Sequence, residues 1–141
     1  MTIFFTAAVR GGRSQQPSYQ DLVAVLKTYG TVLNEHIADE TISDYGETDL
    51  SKEQIYRREM EGLSQADLVV AEVTTPSLGV GYLVARALEM NKRVICLYQG
   101  EDTHKLSAMI KGDPRTEVHS YTDPKEIAAF IQKTTLRLPL D

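Results

Sequence analysis

Two short segments of this chain carry groups suited to holding an anion. Arg10-Gly11-Gly12-Arg13 couples two glycines, which let a backbone approach a ligand closely, to two guanidinium groups that grip phosphate or carboxylate. Thr74-Thr75-Pro76-Ser77-Leu78-Gly79-Val80-Gly81-Tyr82 sets hydroxyls and glycines where a helix is expected to begin. Free N–H groups and the helix dipole converge on an anion at such a terminus. Each segment also has a plainer reading. The first is a surface turn with two solvated arginines. The second is a capped helix start, with Ser77 as the cap and the glycines as turn residues. The Arg-Gly-Gly-Arg run is not a dinucleotide fingerprint, whose glycines belong at a helix start. Other reactive residues stand singly. His36 follows Asn34-Glu35, Glu59 falls on an expected helix where solvation is usual, and Asp67 is placed to cap the turn into a strand. Cys96 lies inside an apolar run and reads as a buried apolar residue. No Cys, His and acid cluster has metal-ligand spacing, so no metal and no cofactor are expected.

The elements that would position these groups follow from hydrophobic periodicity. Ile3–Ala8, Leu68–Val73 and Val94–Tyr98 are near-continuous apolar runs, as in strands covered on both faces, and Thr31–Asn34 and Thr116–Ser120 are weaker strands. Between them lie expected helices. Ser18–Tyr29 carries Leu22, Val25, Leu26 and Tyr29 on one face, with Ser18 and Asp21 at its cap and Gly30 at its stop. Ser51–Leu63 opens on a Ser51/Gln54 capping box. Gly79–Met90 is apolar and small on most faces and so is expected to be well buried. Asp123, Pro124 and Glu126 open a last helix to about Lys133. Alternating strands and helices predict one α/β domain over residues 1–141, with a five-stranded parallel sheet between two helical layers. Ligands of such sheets bind beyond the carboxyl ends of the strands, where both anion-suited segments fall. Ala38–Leu50 is a long polar loop, a kind that often carries function.

The 141 residues suffice for one core. A net charge of −5 argues against nucleic acid as the main partner. One cysteine permits no intrachain disulfide, and a reducing cytoplasm suits it best. No apolar run approaches the ~20 residues of a membrane span. Met1–Ala8 lacks the basic start and apolar length of a signal peptide and reads as a strand.

Taken in order, several segments resemble the nucleoside 2-deoxyribosyltransferase superfamily, and within it the 2'-deoxynucleoside 5'-phosphate N-hydrolases. They are Arg10-Gly11-Gly12-Arg13, Leu33-Asn34-Glu35-His36, Ala66-Asp67-Leu68-Val69-Val70-Ala71-Glu72-Val73, Pro76-Ser77-Leu78-Gly79-Val80-Gly81-Tyr82 and Leu106-Ser107-Ala108-Met109-Ile110-Lys111-Gly112. The resemblance implies a Rossmann-like, flavodoxin-like doubly wound sheet and a homodimer whose pocket takes a nucleoside monophosphate. It implies that Ala8, Val9, Arg10, Gly11 and Gly12 line the phosphate end, with Ser77 and Gly79 at the helix start. It sets His36 beside the base or sugar, and Ser107 and Met109 in the neighbouring subunit's pocket.

Four positions depart from the family pattern. The family's catalytic glutamate, after Gly-Val-Gly-Tyr, is Leu83, which neither attacks nor carries charge. A family tyrosine is Phe4, a phosphate-loop serine is Ala8, and a supporting aspartate is Glu59. Three functions therefore stay open. One is cleavage or transfer of an N-glycosidic bond, with Glu59 in the catalytic role and activity reduced or altered. Another is a nucleotide-binding or sensor protein without catalysis. The third is action on a different sugar-phosphate or nucleobase conjugate.

Overall fold

The computed structural model describes residues 1–9, 16–43 and 45–136. Five parallel strands, β1 (Thr2–Thr6), β2 (Thr31–Leu33), β3 (Leu68–Glu72), β4 (Arg93–Gln99) and β5 (Thr116–Tyr121), form one sheet in the order β2-β1-β3-β4-β5. The chain winds outward from β1 to β2, returns past β1 to β3, and continues to the other edge. The expected doubly wound α/β/α arrangement is therefore the one observed, with its switch point between β1 and β3. In register, Ile3 pairs with Leu68 and Thr6 with Ala71.

Alternation along the strands divides the core into two layers. Ile3, Phe5, Leu68, Val70, Ile95 and Leu97 face α1 (Gln16–Lys27) and α5 (Ile127–Thr135). Phe4, Val69, Ala71, Val94 and Cys96 face α2 (Lys52–Gln65) and α3 (Leu78–Glu89). A short α4 (Ala108–Gly112) connects β4 to β5. No helix among the described residues is long and apolar enough to cross a membrane.

Local capping matches the sequence reading at two helices. Ser51 accepts from Gln54 N–H at 3.1 Å while the Gln54 side chain accepts from Ser51 N–H at 2.8 Å. Asp123 and Glu126 make the same reciprocal pair, although the helix they open starts as a 3₁₀ turn, Pro124–Glu126, before α5. Elsewhere the structure corrects the reading. Helix α1 begins at Gln16, so Ser18 and Asp21 lie inside it rather than at its cap. Gly30 is needed for proximity and not as a left-handed stop: a Cβ there would sit 2.1 Å from the Met1 carbonyl oxygen. Strand β1 ends at Thr6, two residues early. Helix α3 buries only one stripe, Val80, Val84, Ala87 and Leu88, and leaves Leu78 97% exposed.

Helix α2 lies unusually close to β1. A Cβ on Gly62 would meet the Phe4 ring at 2.8 Å, and that ring is 1% exposed with no room to yield. Gly62→Ala should therefore cost about 1–3 kcal/mol, the usual range for overpacking, measured as a lowered urea midpoint with unchanged slope. An unchanged midpoint would show that α2 can move off the sheet freely.

Candidate active site

A cavity of about 360 Å³ opens at the carboxyl ends of β1 and β3. Thr6, Ala7 and Val9 form its floor where the chain leaves β1. Ser77, Gly79, Val80, Tyr82 and Leu83 of the α3 start form one wall, and Ile55, Tyr56, Arg58, Glu59 and Met60 of α2 the other. Ile37, Ile42, Gly46 and Glu47 close it from the segment after β2.

That segment is shaped by its own side chains. Asn34 takes the left-handed conformation, φ 65°, which asparagine tolerates, and its amide donates to the Phe5 carbonyl at 3.0 Å. The 3₁₀ turn Glu35–Ala38 follows. Asp39 accepts from both the N–H and the hydroxyl of Thr41 at 2.8 Å. A turn in which Gly46 N–H donates to the Ser43 carbonyl then delivers Glu47 to the cavity.

Three ionic side chains meet there. Arg58 Nη1 donates to Glu47 Oε1 at 2.8 Å, and Nη2 donates to the other Glu47 oxygen. Arg58 Nη2 and Nε also donate to Glu59 Oε1, at 2.8 and 3.2 Å. His36 Nε2 stands 3.5 Å from Glu47. The Arg58 hydrogen bonds hold the Glu47 carboxyl below the usual range, with burial opposing them. Desolvation opposes the raised basicity that Glu47 chiefly gives Arg58.

Ser77 is the N-cap of α3, its hydroxyl accepting from Val80 N–H at 3.3 Å. That cap takes the Val80 N–H, and the Leu78 and Gly79 N–H groups of the same turn, which have no partner within a helix, are left to meet an anion. Gly79 and Gly81 lie inside α3 and neither has positive φ, so they are not the turn residues the plainer reading expected. A Cβ at Gly81 would meet nothing within 4 Å.

The structure brings Val9, Glu59, Ser77, Gly79 and Leu83 to one cavity. Arg10, Gly11 and Gly12 lie outside the described residues. Ala8 is fully buried and absent from the cavity wall, and Phe4 belongs to the core beneath α2. His36 is not part of the cavity wall among the described residues and stands beside Glu47, which is. Glu59, expected to be solvated, is 9% exposed. Ser107, the N-cap of α4, and Met109, 83% exposed, line a separate groove between α3 and α4 that shares Ser77 and Val80 with the cavity. Sequence reasoning missed Glu47, Arg58 and Tyr56; only the length of the Ala38–Leu50 loop hinted at the first.

A family profile described as nucleoside 2-deoxyribosyltransferase matches residues 3–126. The chain is 43% identical over 126 residues to a zebrafish (Danio rerio) protein named 5-hydroxymethyl-dUMP N-hydrolase, covering 89% of this chain and 88% of that protein. It is 44% identical over 135 residues to the human (Homo sapiens) protein of the same name, covering 93% and 77%. A Nematostella vectensis relative, named as a putative 2'-deoxynucleoside 5'-phosphate N-hydrolase, is 44% identical over 119 residues, covering 78% and 76%. Among solved structures, Clostridium botulinum CMP N-glycosidase superposes with a TM-score of 0.65 at 20% identity, covering 98% of this chain and all of that one, which is a likeness of fold.

Behind the cavity loops, Glu72 ends β3 with no exposed surface. It accepts from Thr74 through both hydroxyl and N–H, and from the Tyr121 hydroxyl at 3.3 Å. Burial pushes its carboxyl up to about 7 despite these bonds. Unfolded, the carboxyl ionises near 4.5, so between those values the folded state holds a proton that the unfolded chain has released. Its contribution is complete below 4.5 and is lost as pH rises towards 7, a range corresponding to roughly 3 kcal/mol. His119, held below its ordinary value chiefly by burial, acts oppositely but equally in parent and variant. Glu72→Gln should therefore gain on the parent steadily between pH 4.5 and 7 in urea-midpoint stability, then run parallel. A constant difference across that interval would show that Glu72 stays ionised.

Proposed function

The chain belongs to the nucleoside 2-deoxyribosyltransferase family, and from that premise we propose that it binds a deoxynucleoside 5'-monophosphate and cleaves its N-glycosidic bond slowly. One observation carries the reading: a single cavity joins a serine-capped helix start, suited to phosphate, to a buried glutamate on the facing helix. The names of the relatives support the substrate class.

In this reading the phosphate meets the first turn of α3 and the Ser77 hydroxyl, with Arg10 supplying charge. The sugar then lies towards Glu59. As the bond between C1' and the base nitrogen breaks, its electrons leave with the base, which is protonated from solvent. Positive charge builds on the sugar, and a fixed carboxylate at contact distance stabilises it. Water adds at C1' and loses a proton. Glu59 is the acid for this role, because Leu83 presents only apolar surface where the family pattern has its glutamate. The site is completed in a homodimer. The groove between α3 and α4, with Leu78 97% and Met109 83% exposed beside it, suits a second copy that brings Ser107 and Met109 to its partner's cavity.

A second reading, binding without catalysis, is favoured by Leu83 alone. Base release from a panel of deoxynucleoside monophosphates, run beside calorimetric binding, separates the two. We expect a monophosphate to bind at least about tenfold more tightly than its nucleoside, since a charge-assisted hydrogen bond contributes about 1.5–3 kcal/mol, and Ser77→Ala to narrow that gap. Glu59→Gln should abolish base release, and Leu83→Glu should raise it by orders of magnitude. Tight binding with no release, in the parent and in Leu83→Glu alike, would establish the binder. Release unaffected by Glu59→Gln would place the catalytic centre elsewhere.

A further inference from the structure

The cavity holds a device that neither the fold nor the phosphate site requires. Arg58 and Glu59 are consecutive on α2, and neighbouring helical residues point about 100° apart, so they do not normally face one another. Here the guanidinium folds back, and both Nε and Nη2 donate to one oxygen, Glu59 Oε1, at 3.2 and 2.8 Å. The guanidinium is held in that pose from a different element. Glu47 takes it from the far side in a two-pronged bond, and Glu47 in turn stands 3.5 Å from His36 Nε2. Glu47, Arg58 and Glu59 all line the cavity, with side chains 23%, 36% and 11% exposed. Partial withdrawal from water sets these bonds apart from surface ion pairs, which contribute little.

We propose that Glu47 and Arg58 are positioning residues that fix Glu59 in one orientation at the cavity wall, committing its Oε1 to the guanidinium and leaving Oε2 for the ligand. None of the described residues donates to Oε2. The chemistry requires such a device. A glutamate has three side-chain torsions, and an unrestrained one samples orientations in which neither oxygen meets the sugar. Fixing it beforehand removes that loss from the reaction step. An arginine suits the task because its planar fork satisfies two carboxylates at once, whereas a lysine ammonium has no such fixed geometry. The segment after β2 thereby acts on catalysis through Glu47, without touching the reacting bond itself.

This inference rests on Glu59 as the working acid, so its test needs one readout that involves no turnover. In a crystal structure of Arg58→Gln, the Glu59 carboxylate should leave the wall or divide between conformers; Glu59 unmoved would overturn the proposal whatever the protein catalyses. In kinetics, Arg58→Gln and Glu47→Gln should each lower kcat at least tenfold while KM for the monophosphate changes less than threefold, because the phosphate is held elsewhere. Arg58→Lys should restore little. The calorimetric affinity for a deoxynucleoside monophosphate should likewise change less than threefold in Arg58→Gln, and should change no further when Arg58→Gln is added to Glu59→Gln. Additive losses in that pair, or full activity in Arg58→Gln, would contradict positioning while leaving the assigned reaction intact. A parent with neither binding nor release would instead defeat the assigned reaction, and the position of Glu59 in the crystal would still decide the proposal.

Discussion

The pairing of β1 with β3 is the constraint from which the rest of the site follows. Sequence neighbours β1 and β2 also pair, but only the β1–β3 contact brings Ala7–Val9 beside the start of α3. Its register is held at the far end by a reciprocal pair, Thr2 N–H on the Asp67 carboxylate at 2.7 Å and Asp67 N–H on the Thr2 carbonyl at 2.8 Å. A slip of one residue would exchange the faces of Phe4 and Phe5 and empty both core layers. Asp67, at the opposite edge of the sheet from the cavity, is thus a determinant of where the cavity forms.

Near the sheet's carboxyl edge the fold withdraws carboxylates from water in two different ways. Glu47 and Glu59 share one guanidinium, whose hydrogen bonds hold the Glu47 carboxyl below its usual range. Glu72 has only hydroxyl and amide donors, and burial favours a proton on it instead. The difference suits their places. The arginine-paired carboxylates line the cavity, whereas the neutral acid behind the loops holds Thr74, whose hydroxyl also accepts from Gln99 N–H and so ties the segment leading to Ser77 to β4.

Much of this was legible in the sequence. The strands announce themselves as apolar runs because a parallel sheet is covered on both faces, and the Ser51 and Ser77 caps are local chemistry readable without the fold. What could not be read depends on long-range geometry. Glu47 sits in a polar loop with no motif, and only the turn at Ser43–Gly46 aims it inward. Arg58 would ordinarily point away from its neighbour, so no helical spacing reveals the contact. Glu72 interrupts an apolar run in a way that signals burial but not its partners, since Tyr121 lies 49 residues away. Helix α3 reads as apolar and small on most faces, yet the described residues bury only one stripe of it.

Cys96 has a consequence of a different kind. It is the sole cysteine of the chain, lies in β4 between β3 and β5, has no exposed surface, and burial pushes its thiol up to about 12. Thiol reagents attack the thiolate and need access, so the native protein offers them neither. Modification must wait for the sheet to part at its centre. The chain therefore carries an intrinsic clock for its own opening: the rate of alkylation under native conditions reports the free energy of separating the strands on which the cavity is built, with no label introduced and no residue of the site disturbed.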